Sequence, residues 1–173
     1  MRSTIFLIGV ALLLTASPSF AADNCITKHV PVASVSGSGK GMRLFFHVYD
    51  ATLYAPQGVY NGKKPYALTL AYQVKVKGED IAQDSVRQMK RLGIEDESVL
   101  IKWHQALEKI FPDIGPGDSL TGVHLANGQT LFCRDGHEIG RVRSAEFSRY
   151  FFGIWLDKKS EDATLRRNLL EQS

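Results

Sequence analysis

Two cations, an imidazole and a phenol (Lys40, Arg43, His47 and Tyr49) fall within ten residues of one another in the segment Gly37–Pro56, GSGKGMRLFFHVYDATLYAP. Side chains of these types can hold an anionic head group, such as a carboxylate, by charge-assisted hydrogen bonds at the mouth of an apolar cavity. Successive strand residues point to opposite faces. Arg43, Phe45, His47, Tyr49, Ala51 and Leu53 therefore share one face, and Met42, Leu44, Phe46, Val48 and Tyr54 the other. The second set is expected to be core. The first is either a pocket wall or a sandwich core whose polar tips reach the rim.

Other chemistries lack their parts. No serine lies in a Gly-x-Ser-x-Gly elbow, and neither cysteine has an activating neighbourhood. GSGKG lacks the Gly-Lys-Ser/Thr ending of a phosphate loop and joins two expected strands, so no nucleotide cofactor is indicated. The five histidines, His29, His47, His104, His124 and His137, are scattered, and no pair has i, i+4 helical spacing, so no metal is expected.

The elements that must position these groups follow from periodicity. His29–Val35 and Arg43–Tyr54 read as strands joined by a glycine turn at Ser36–Gly41, and Tyr66–Val76 as a third strand after a Pro/Gly/Asn loop. The period then lengthens to that of a helix. Ile81, Ser85, Met89 and Leu92 form one stripe stopped at Gly93, and a second helix spans about Glu97–Phe111 before Pro112. Asn127-Gly128 and Asp135-Gly136 divide three further strands, Ser119–Leu125, Gln129–Arg134 and Glu138–Arg143. Ser144 caps a helix over Ala145–Leu156, and a last helix covers about Asp162–Leu170. Segregated strands and helices make an α+β domain.

Arg2, the apolar run Ile5–Ala16 and the small-x-small pattern Ser19-Phe20-Ala21 read as a secretory signal peptide of residues 1–21, cleaved to leave residues 22–173 as a single domain. The expected location is periplasmic or secreted, with no integral membrane segment after processing. Cys25 and Cys133 are the only cysteines; in an oxidising space they are a candidate disulfide, with two free thiols as the alternative. The net charge is +3, or +2 without Arg2, and no basic stripe is present, so nucleic acid is not an implied partner. Nothing in the sequence sets the oligomeric state.

The ordered segments GSGK, FFHVYDATLYAP, KPYALTLAY, GEDIAQDSVRQMKRLG, FPDIGPGDSLTG, FFGIWLD and TLRRNLL resemble the chalcone isomerase-like family, in particular its exported bacterial members. The resemblance implies an open-faced β-sandwich: a long antiparallel sheet backed by helices, with a ligand cleft between them. The family includes enzymes that close a chalcone to a flavanone and relatives that bind fatty acids. Tyr49 falls where the plant enzymes orient the substrate ketone with threonine, and Gly41 falls in the strict place of their arginine, with Lys40 and Arg43 beside it. Their catalytic tyrosine corresponds to Lys77 or Ile81, their helix asparagine to about Asp84, and a later threonine to about Ile154.

Enolate stabilisation needs preorganised donors around a carbonyl, and most are replaced here. The leading expectation is therefore a non-catalytic protein that binds a fatty acid or similar hydrophobic molecule. Lys40, Arg43, Phe45, His47, Tyr49, Met89 and Ile154 are its expected ligand-binding residues. Two alternatives stand beside it. One is an isomerase or lyase for an unidentified non-flavonoid substrate, with Tyr49, His47 or Asp84 as acid or base. The other is an envelope domain that docks a protein partner through the aromatic helix Phe147–Trp155.

Overall fold

A computed structural model describes residues 23–171; the expected signal peptide lies outside them. The chain runs α1 (Asn24–Thr27), β1 (Ala33–Arg43), β2 (Phe46–Pro56), β3 (Tyr66–Tyr72), α2 (Gly78–Arg91), α3 (Glu97–Ile110), β4 (Ser119–His124), β5 (Thr130–Arg134), β6 (His137–Val142), α4 (Ala145–Leu156) and α5 (Ala163–Leu170). The six strands form one antiparallel sheet in chain order. The helical pair α2–α3 is thus inserted between two strands that are themselves neighbours.

Strand alternation divides the sheet into two faces. Ala51, Leu53, Leu68, Leu70, Leu120 and Phe132 meet the helices in the main core, where Met89, Leu107, Phe147, Phe152 and Leu169 are fully buried. Tyr54, Ala67, Val123 and Leu131 lie on the opposite face under α1. There Cys25 and Cys133 are joined as a disulfide, Cα–Cα 6.6 Å, which ties the α1 segment to β5. Asp23, Ser144 and Asp162 cap α1, α4 and α5 by accepting from Ile26, Phe147 and Leu165 backbone N–H groups. The uncapped start of α2 is held by Asp113, whose Oδ1 accepts from Gly78 N at 3.0 Å.

Three expectations are corrected. First, Ser36–Gly41 is strand, and the turn falls at Leu44–Phe45. The glycines serve close approach instead: a Cβ on Gly37 would stand 2.4 Å from the Asn168 and Leu169 carbonyl oxygens of α5, and one on Gly41 would strike the Tyr49 ring at 2.0 Å. Second, with the turn moved, Leu44 and Phe46 are exposed and the face bearing Tyr49, Ala51 and Leu53 is the one that meets the helices. Third, β3 ends at Tyr72, and Val76 forms only an isolated bridge to Ile114.

The aromatic helix also turns inward. Phe147, Phe151, Phe152 and Trp155 are buried in a chain of edge-to-face and stacked rings, so α4 offers no aromatic docking face.

Candidate functional site

Between β2–β3 and α2 the main core leaves a cavity of about 320 Å³. Leu68, Leu70 and Tyr72 of β3 point into it because they share one strand face. Ile81 and Ser85 enter from α2 one turn apart. Phe111, Phe132 and Phe151 close the inner end, and Gly122 keeps that wall open, since a Cβ there would press on the Phe151 and Phe152 rings at 3.3–3.4 Å. Apart from Ser85 and the Tyr72 phenol, the polar lining gathers at the mouth, where Arg43, Tyr49, Asp80, Asp84, Gln88 and the Trp155 indole meet.

Tyr49 is placed by an exchange of volume across the first hairpin. It pairs with Gly41 in the β1–β2 register, and only a missing Cβ at 41 lets its ring lie across the neighbouring strand. An arginine at 41, as in the plant isomerase pattern, is incompatible with that ring position. The Trp155 indole N–H donates to the Tyr49 hydroxyl at 3.0 Å. Indole nitrogen can only donate, so the phenol accepts this bond and keeps its own proton to give to a ligand. Burial lifts the Tyr49 pKa above the ordinary phenol value, against the lowering effects of the Trp155 bond and the Arg43 charge, so the group is a neutral donor at neutral pH. Tyr72, opposite Tyr49 on β3 with ring centroids 5.7 Å apart, is also pushed up by burial.

Arg43 is shared between two carboxylates. One guanidinium nitrogen donates to Asp84 of α2 and the other to Glu161 of the α4–α5 loop, the latter at 3.3 Å. Asp84 also accepts from Arg87 and, at 2.8 Å, from Gln88, and Glu161 meets Arg91. Three guanidiniums and two carboxylates make up this linked set, with Asp80 on the same cavity wall and Asp162 on the adjoining recess. Asp84 already has three donors, which suits a latch better than a proton-abstracting base.

Arg43 and Tyr49 thus reach the cavity, and Ile154 lines a small recess against the same mouth. The other expected ligand residues do not line it. Phe45 sits at the exposed turn. His47 turns to Asp50, its Nε2 2.9 Å from Oδ1, and exposed Lys40 lies opposite Asp50 in the register. Met89 is one turn beyond Ser85 and is packed into solid core. Lys77 precedes α2 and is exposed, so at the two positions aligned with the isomerase tyrosine only Ile81, an apolar side chain, meets the cavity. Trp155, Ser85 and the β3 triplet were not anticipated; Leu68-x-Leu70-x-Tyr72 carried a period-2 signal, but nothing local marked it as facing empty space. Among the described residues, no group of three His, Cys, Asp or Glu side chains could hold a metal ion.

The fold and site define a class: an antiparallel sheet roofed on one face by helices, with an apolar cleft between them whose mouth is ionised. The chain belongs to the chalcone isomerase-like family, which residues 34–171 match. Its fold is similar to the crystal structure of an Arabidopsis thaliana fatty-acid binding protein, with a TM-score of 0.62 and 13% identity over 81% of this chain and 87% of that one. No curated protein matches the sequence.

Proposed function

We propose that the protein is an exported, non-catalytic binder of a fatty acid or similar acyl anion. The observation that carries this reading is the apolar cavity whose mouth presents a guanidinium and a neutral phenol proton, Arg43 and Tyr49, side by side. A space of about ten water volumes takes a hydrocarbon tail on the order of ten carbons. Each buried CH₂ then contributes about 0.8 kcal/mol. A charge-assisted bond from Arg43 orients the head group and adds about 1.5–3 kcal/mol. The plant fatty-acid binding protein of similar fold supports the same reading, as does the replacement of the donors that flavanone closure requires. A disulfide between Cys25 and Cys133 suits the oxidising space to which residues 1–21 would direct the chain.

The test is a titration of purified protein with saturated fatty acids of increasing length, paired with alcohols of equal length. Saturable binding that strengthens with length and then levels is expected. Arg43→Gln should weaken acids about tenfold or more while sparing the alcohols. Absence of saturable binding, or equal affinity for acid and alcohol, would overturn the proposal.

A further inference from the structure

The tip of the β1–β2 hairpin gathers the two most exposed large apolar side chains among the described residues. Leu44 is 89% exposed, Phe45 94%, Phe46 71% and Met42 43%. Leu44, Phe45 and Phe46 at this convex turn have no folding role, because none of them packs against the core, while Met42 covers a recess beside Ile154 and Trp155. The turn geometry also disfavours them. Leu44 adopts φ 53°, the left-handed region, at the first central position of a two-residue hairpin turn where glycine is the usual choice. The tip therefore keeps leucine and phenylalanine against both solvation and backbone preference, and large exposed apolar groups of this kind mark interaction sites.

We infer that this tip inserts into the surface of a phospholipid bilayer containing anionic lipid and brings the cavity mouth to the source of its acyl ligand. The purpose, though not the docking, rests on the acyl-binding reading above. Three observations favour a bilayer over a second copy of the chain. The exposed side chains of the tip amount to roughly 500 Å², short of the approximately 800 Å² per partner of a stable protein interface. Their shape is a narrow protrusion, which suits penetration of a soft interface better than flat packing. The tip is also continuous with the mouth: Arg43 lies between Met42 and Leu44, and the recess that Met42 lines is closed by Ser160 and Glu161 of the α4–α5 loop. That loop carries exposed Lys158 and Lys159, and β1 carries exposed Lys40, three cations with no ion pair among the described residues; of the loop's acids Asp157, Glu161 and Asp162, Glu161 is neutralised by Arg43 and Arg91. Among the described residues no helix is long and apolar enough to cross a membrane, so contact through these helices and this tip would be peripheral.

Co-sedimentation of the protein with phosphatidylcholine vesicles, with and without phosphatidylglycerol, tests the inference. The protein is expected to pellet with the anionic vesicles, and Leu44→Ser/Phe45→Ser/Phe46→Ser should lower that partitioning at least about tenfold. The triple variant should keep the thermal unfolding midpoint and the fatty-acid affinity measured without vesicles, because its side chains touch neither core nor cavity. Wild-type protein remaining in the supernatant, or a triple variant that pellets equally, would overturn it. So would a wild-type dimer that the variant converts to monomer with no change in vesicle partitioning. Vesicle docking without acid binding would remove the acyl reading and leave the docking; acid binding without docking would do the reverse.

Discussion

The two ends of the main core are built from the same sheet and the same helical layer, yet one is solid and the other hollow. At the β4–β6 end, Phe111, Phe132, Phe147 and Phe151 meet edge to face or stacked at centroid distances of 5.0–6.2 Å. At the β2–β3 end, leucines, Ile81 and Ser85 stop short of one another and leave about 320 Å³. Close packing is the default for protein interiors, because unfilled space forfeits dispersion contacts. A void lined by well-ordered side chains therefore marks a place where stability has been given up, and the neighbouring aromatic cluster is what allows it.

Four substitutions bear on this contrast. The largest effect is expected from Phe147→Ala, which removes a fully buried ring touching Trp103, Phe132 and Phe151 and should cost about 4 kcal/mol in urea unfolding. Next comes a matched pair of buried helical serines. Ser148 on α4 accepts from Thr130 Oγ1 at 2.7 Å and reaches the Gly128 carbonyl at 2.8 Å in a fully packed site. Ser148→Leu should cost about 3 kcal/mol, through overpacking and the loss of those partners. Ser85, by contrast, bonds only its own helix at Ile81 O and faces the cavity. Ser85→Leu should change stability by no more than about 1 kcal/mol while weakening acid binding about tenfold or more. Equal costs for the two serine substitutions would erase the distinction between the ends.

The last effect concerns pH. His124 stacks on Phe152 beside Tyr66, and burial, aided by Lys64, lowers its pKa to about 4. The unfolded chain then holds the proton more readily between about pH 6.5 and 4, so stability falls as pH falls through that window. Comparing chemical unfolding of wild type and His124→Phe across it should show a shallower decline in the variant; parallel curves would remove the histidine from the account.

Much of this contrast was legible before the structure, and the exceptions have physical causes. The span of α4 follows from Ser144 and its aromatic spacing, and the β5–β6 turn from Asp135-Gly136, both with positive φ. The first hairpin was misread because glycine signals a turn and a close approach alike. Only the packing of α5 on Gly37, and of the Tyr49 ring on Gly41, separates the two. The four-residue α1 was too short for any period. Arg43 and Tyr49 were read as one face of a single strand, whereas the turn at Leu44–Phe45 puts them on β1 and β2, and both line the cavity. Met89 was chosen from the right helical stripe but one turn too far, since periodicity gives a direction and not the depth at which packing ends. Trp155 was hidden for the same reason, its indole N–H being functional only through a partner 106 residues away in sequence.

The central claim is that the hollow end holds an acyl chain with its carboxylate at Arg43 and Tyr49. A crystal structure with a fatty acid brominated at its tail end tests it most directly. The account expects the bromine signal among Leu68, Leu70 and Phe132 and the carboxylate within hydrogen-bonding distance of both Arg43 and the Tyr49 hydroxyl. Bromine located outside this cavity, or a carboxylate held elsewhere with the Arg43–Asp84 pair intact and Tyr49 unengaged, would contradict it.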